Sequence, residues 1–165
     1  ALHSALREDP DVILVGEMRD LETISIAVTA AEMGILVMGT LHTNGCAATV
    51  DRIINSFPAD KQAHIRTMIS TSLRGVVSQQ LLPTIHRPGR AAALEIMINT
   101  PAVSNLIRQG KIDQLETAIQ SGGNIGMQPM DKALMDLVER GWISGNEAYL
   151  QANNKHNFEQ VIDMD

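Results

Sequence analysis

The chain has 165 residues, 44% of them hydrophobic, and a formal net charge of -6. That length holds one domain, or one with a small second unit. Acidity with only 2% aromatic residues excludes a nucleic-acid groove, which needs a basic stripe and stacking rings.

A helix is expected over residues 1–7, and because the chain opens inside it without Met, a fragment or processed form is expected. Asp11 to Gly16 is an unbroken apolar run, the pattern of a strand covered on both faces in a parallel sheet. It ends at Glu17. From Asp20 to Met33 a helix is expected, with Leu21, Ile24, Val28 and Ala31 on one face and Ile26, Ala30 and Met33 on another. Apolar nearly all round, it is expected to be largely buried, and Gly34 ends it. A second apolar run, Ile35 to Gly39, leads into Thr40-Leu41-His42-Thr43. Strand, crossover helix and strand make a βαβ unit, with the ends of two parallel strands side by side.

Cys46 to Asn55 reads as a helix capped by Asn44 or Thr43 and stopped by Pro58. The next helix, from about Asp60 to Gly75, carries the stripe Ile65, Met68, Ile69, Ser72 and Leu73. Residues 76–82 and 91–98 read as strands of a hairpin, turned by Pro83, Pro88 and Gly89. After Thr100-Pro101 the chain is helical: 102–109, 112–120, the amphipathic 129–140 with Met130, Ala133, Leu134, Leu137 and Val138 on one face, and 144–152 with Ser144 and Glu147 as a capping box. The expected organisation is therefore an α/β core over 1–100, a helical region over 101–153 and a loose polar tail over 154–165. No apolar run approaches the roughly 18 to 20 residues that span a bilayer. Cys46 is the sole cysteine, which excludes an internal disulfide and a thiolate-rich zinc site and fits a reducing cytoplasm.

In open α/β sheets ligands bind beyond the carboxyl ends of the strands, where Glu17 and His42 stand. A strand ending in an acid holds a carboxylate rigidly, placed to bind Mg²⁺ directly or through water, or to orient a water. The same acid could instead cap the following helix or pair with Arg19. His42, flanked by Thr40 and Thr43 before a helix, suits a phosphate sensor, or a histidine that fixes the strand-to-helix turn. Arg7, Arg19 and Arg52 flank both motifs, each open to phosphate, to a subunit interface or to solvent.

The run Arg7-Glu-Asp-Pro-Asp-Val-Ile-Leu-Val-Gly-Glu-Met-Arg-Asp20, then Glu22-Thr23 and Gly39-Thr-Leu-His-Thr43, resembles the Walker B and His boxes of the type II secretion and type IV pilus ATPases. Asp51-Arg52-Ile53 with Phe57-Pro58, Ser78-Gln-Gln-Leu81, Glu95-Ile96-Met97 and Gly126-Met127-Gln128 extend the likeness along the chain. It implies a RecA-like core with a mostly parallel sheet, followed by a small helical region. It implies a cytoplasmic homohexamer, peripheral at the inner membrane, that hydrolyses ATP with Mg²⁺ to drive pilus retraction. Its partners would be an inner-membrane pilus platform protein and a paralogous retraction ATPase. Glu17 would be the Mg²⁺-side carboxylate and His42 the γ-phosphate contact, with Arg19, Thr40 and Thr43 beside the nucleotide.

Extension and secretion motors of this family insert a four-cysteine zinc module after the His box. Here only Cys46 is present and the turn Pro83 to Gly89 is short, which favours the retraction branch, the PilT/PilU subfamily. Ala102-Val-Ser-Asn-Leu106 stands where that branch carries Ala-Ile-Arg-Asn-Leu, so a retraction motor and an accessory paralogue both stay open. The phosphate loop G-x-x-x-x-G-K-[ST], the upstream acidic box and the PAS-like domain of the family are not in these 165 residues. This stretch alone is thus expected to be inactive. A secretion or extension ATPase and a non-catalytic interaction module are the alternatives.

Overall fold

The computed structural model describes residues 2–162. Helix α1 (Leu2–Ala5) and a 3-10 turn lead to strand β1 (Val12–Val15). Asp20 caps helix α2 (Leu21–Glu32), its Oδ1 accepting the Thr23 N–H at 2.8 Å. Gly34 takes φ +92°, the left-handed conformation that ends a helix, and turns the chain into β2 (Leu36–Gly39). β1 and β2 are parallel, with Val12 opposite Leu36 and Val15 opposite Gly39. The βαβ unit is as expected.

Its cover is not. Ile13 and Val15 are buried, but Val12, Leu14, Leu36 and Met38 are exposed, Leu14 by 72%. Helix α2 buries only Ile24, Ala27 and Ala30 and leaves Met33 exposed. An unbroken apolar run shows that a strand can be covered on both faces; it does not supply the second layer.

Helices α3 (Cys46–Asn55), α4 (Ala59–Ser72) and α5 (Pro101–Arg108) follow this unit, with α4 packed on α2 and α5. Ile65 and Ile69 of α4 and Val103 and Ile107 of α5 are buried. The last carbonyls of α4 lack helical donors. Asn99 Nδ2 donates to Ser70 O and Leu73 O, and Ser104 Oγ donates to Ser70 O at 2.6 Å. These elements form one compact unit, residues 2–43, 47–75 and 99–115.

A second unit, residues 44–46, 76–98 and 116–162, is built on strands β3 (Gly75–Pro83) and β4 (Arg90–Ile98), which pair, and on helices α6 (Leu115–Ser121), α7 (Met130–Glu139) and α8 (Gly145–Gln151). The helices expected after residue 100 are thus shared out. α5 belongs with α4, whereas α7 packs on β4 around Leu82, Ala93, Leu134 and Ile143.

The tail also departs from expectation. Residues Lys155–Phe158 form a 3-10 turn, and Phe158 is fully buried in the same core. Asp131 receives the N–H groups of Asn153 and Asn154 at 2.8 and 2.9 Å. At Gly145 a Cβ would fall 1.5 Å from the Val161 carbonyl oxygen, so only glycine allows this approach. Among the described residues no helix is long and apolar enough to cross a membrane.

Candidate functional site

The parallel pairing continues past the strand ends. The Met18 N–H donates to Thr40 O at 2.9 Å, and the Thr40 hydroxyl donates to the Gly16 carbonyl. These bonds fasten the two exit loops together and bring Glu17 beside His42. One oxygen, Glu17 Oε1, accepts from Arg19 Nε at 2.6 Å and from His42 Nε2. The Arg19 hydrogen bond, then that of His42, holds the Glu17 carboxyl below its usual range, and Glu17 raises the Arg19 guanidinium in return.

Exposure is uneven within this trio. The Glu17 side chain is 30% exposed, whereas Arg19 and His42 are 74% and 79% exposed. The carboxylate is therefore anchored while its two partners reach it from solvent. Glu17, Met18, Arg19, Leu41, His42 and Arg52 line a cleft of about 210 Å³.

The structure answers several questions left open by the sequence. Asp20 caps α2, so Glu17 is released from that role; it pairs with Arg19 and also with His42. The Thr40 and Thr43 hydroxyls are engaged by the protein, Thr40 with Gly16 and Thr43 with Thr49 Oγ1 at 2.7 Å. Both residues shape the loop around His42. The expected side-chain cap on α3 comes from elsewhere: the Cys46 N–H donates to Glu95 Oε1 at 2.6 Å, and the Gly45 N–H to Ser78 Oγ at 2.8 Å. Met18 and Leu41 enter the cleft lining without any polar signal that sequence could give.

Among the described residues no group of three His, Cys, Asp or Glu could hold a metal ion by itself. A lone carboxylate beside a guanidinium and an imidazole suits an anion with its counter-cation better than a resident metal.

Residues 1–148 match the family described as Type II/IV secretion system protein. The chain belongs to that family. Within it, the chain is 56% identical to the type IV pilus retractation ATPase PilT of Pseudomonas aeruginosa over 158 residues, covering 96% of this chain and 46% of the relative. It is 38% identical to the type IV pilus ATPase PilU of the same organism over 164 residues, covering 99% of this chain and 43% of that protein. The fold matches the crystal structure of the pilus retraction motor PilT and bound ADP with a TM-score of 0.86 at 43% identity, over 96% of this chain and 44% of that one. The chain thus spans less than half the length of these relatives. Its βαβ unit and helices are those of a RecA-like fragment of this family.

Proposed function

We propose that this chain supplies the carboxylate-and-imidazole half of the nucleotide site in a motor that hydrolyses ATP to retract type IV pili. The observation that carries the reading is the Glu17, Arg19 and His42 cluster at the carboxyl ends of two parallel strands, in a chain alike to PilT along 96% of its length. In phosphoryl transfer the protein contributes position and charge. Glu17 has both. It is fixed by the strand behind it and kept ionised by Arg19 and His42. It would face Mg²⁺ through water, as that ion prefers when phosphate oxygens complete its shell. Bound Mg²⁺ would neutralise the charge that develops on the phosphates. His42 would donate Nε2–H to a terminal phosphate oxygen once it leaves Glu17. Arg19 would hold Glu17 in place, with Thr40 and Thr43 fixing the backbone that presents His42.

The likeness to PilT exceeds that to PilU, 56% against 38% identity, and favours the retraction motor over the accessory paralogue. We infer a homohexamer on the cytoplasmic side of the inner membrane, bound to the pilus platform protein and working beside a paralogous retraction ATPase. These 165 residues contain no G-x-x-x-x-G-K-[ST] loop, and in such sites the loop lysine and N–H donors provide most of the phosphate affinity. The chain alone is therefore expected to be without turnover.

The test is Glu17→Ala in the full-length protein, with Mg-ATP turnover and melting temperature measured together. Turnover should fall at least about a hundredfold, the scale for losing a positioned electrostatic group, with the fold unchanged. Wild-type turnover in that variant would overturn the assignment. Clear magnesium-dependent hydrolysis by residues 1–165 alone would place the phosphate site elsewhere.

A further inference from the structure

We propose that the β3–β4 turn and the loop after α7 together form a docking surface for anionic phospholipid headgroups. Trp142 and Ile85 would enter the interfacial layer, and Arg87, Arg90 and Arg140 would meet the phosphates. The inference does not depend on the nucleotide reading: these residues belong to the second compact unit, whereas Glu17 and His42 belong to the first. Trp142 is the sole tryptophan in a chain with only 2% aromatic residues. It is exposed, although its neighbour Ile143 is buried. Ile85, at the β3–β4 turn, is exposed as well. Large apolar side chains grouped at a surface mark a place where the protein meets something.

The turn and the loop are fastened to each other. The Ile85 N–H donates to the Trp142 carbonyl at 3.1 Å. The Thr84 N–H donates to Gly89 O at 3.3 Å and the Thr84 hydroxyl to Arg87 O, which closes the turn on which Arg87 stands exposed. The Arg87 guanidinium lies 5.5 Å from the centre of the Trp142 ring, within reach of its negative face. Cation and ring are thus held side by side, one suited to a headgroup phosphate and the other to the layer just beneath it.

Charge selects the occupant. From Lys61 to Leu94 the sequence contains no acid, in a chain whose net charge is -6. His86, Arg87 and Arg90 lie at the turn within that stretch, and Arg140 stands two residues before Trp142, with Glu139 the one acid next to it. Among the described residues Arg87, Arg90 and Arg140 make no ion pair, and Arg90 Nη1 reaches only the Leu81 carbonyl at 3.3 Å. Unpaired positive charge on an acidic protein is a local anion-seeking field. Every residue from Ile85 to Arg90 is exposed, so the turn is a projecting tip and offers no walls to a partner helix. Such a tip needs a surface that yields to it. A bilayer interface does, taking tryptophan rings at headgroup level and arginines against anionic lipid.

The experiment uses the full-length protein with vesicles of phosphatidylcholine alone or mixed equally with phosphatidylglycerol. Co-sedimentation gives binding, and the emission of Trp142 is isolated by difference against Trp142→Phe. Wild type should bind the mixed vesicles and not the neutral ones, and the Trp142 emission should move to shorter wavelength as the ring leaves water. Arg87→Gln and Arg140→Gln should each weaken binding about fivefold, the scale of one cation at an anionic surface. Added salt should weaken the wild type as well. Mg-ATP turnover without vesicles should stay at the wild-type level in all three variants, so failure here leaves the nucleotide reading standing. Equal binding to both kinds of vesicle, or to neither, would overturn the proposal. So would binding with an unmoved Trp142 emission, or full binding by both arginine variants, because either result puts the contact elsewhere on the protein. Binding to polyglutamate with none to the mixed vesicles would give the tip to an acidic protein partner and overturn the lipid assignment.

Discussion

Two carboxyl groups in this protein accept a hydrogen bond of the same length in opposite settings. Glu17 takes the Arg19 Nε–H at 2.6 Å at an open sheet edge, and Glu95 takes the Cys46 backbone N–H at 2.6 Å with only 5% of its surface exposed. The donors of Glu17 are solvent-facing side chains that can exchange it for a ligand. The donor to Glu95 is the first N–H of α3, fixed by the backbone. Beside Glu95 the Cys46 thiol donates to Val76 O and Glu95 O, and burial, then the Glu95 charge, pushes it up to about 12. A thiol so far above neutral pH stays protonated and unreactive. An acid fastened to backbone secures a fold, whereas an acid held by exposed side chains is positioned for exchange.

The sharpest way to break this contrast is to damage the fastened region. Phe158→Ala removes a fully buried ring from the core of the second unit and should destabilise by about 3–5 kcal/mol. Chemical unfolding of the 165-residue chain would measure it. A loss under about 1 kcal/mol would show that the turn at Lys155–Phe158 only rests on the surface. Glu95→Ala comes next, stranding the Cys46 N–H at a cost of about 1–3 kcal/mol. Glu95→Gln keeps an acceptor oxygen and should cost less. Equal cost in both variants would mean that charge, not the hydrogen bond, is what α3 requires.

How much of this could be read from sequence follows the range of each interaction. Local punctuation was plain: Gly34 as a stop, and two apolar runs of strand length placed Glu17 and His42 at neighbouring strand ends. Distant partnerships were not. Glu95 caps a helix 49 residues before it, and nothing in Thr43 or Asn44 signals that their expected role is filled from β4. Phe158 is one aromatic in a polar stretch, so the average character of the segment hides the anchor. The Thr40 and Thr43 hydroxyls each have a protein partner, Gly16 O and Thr49 Oγ1, that sequence does not show.

The smallest expected effect tests the open edge directly. Arg19 and His42 depress the Glu17 carboxyl, so the folded state holds its proton less tightly than the unfolded chain does. The sign follows from linkage: the contribution of the cluster is fully present above the unfolded carboxyl value of about 4.3, and is lost as pH falls through the lower folded value. The stability difference between wild type and Glu17→Gln should therefore be flat from about pH 7 to 5 and shrink below about pH 4. It should be small throughout and shrink further in high salt, because the partners are exposed and screened. A difference that grows on acidification would mean that Glu17 is raised, and a large one insensitive to salt would make it a fastening like Glu95. Either outcome would remove the basis for treating Glu17 as the exchangeable carboxylate of the cleft.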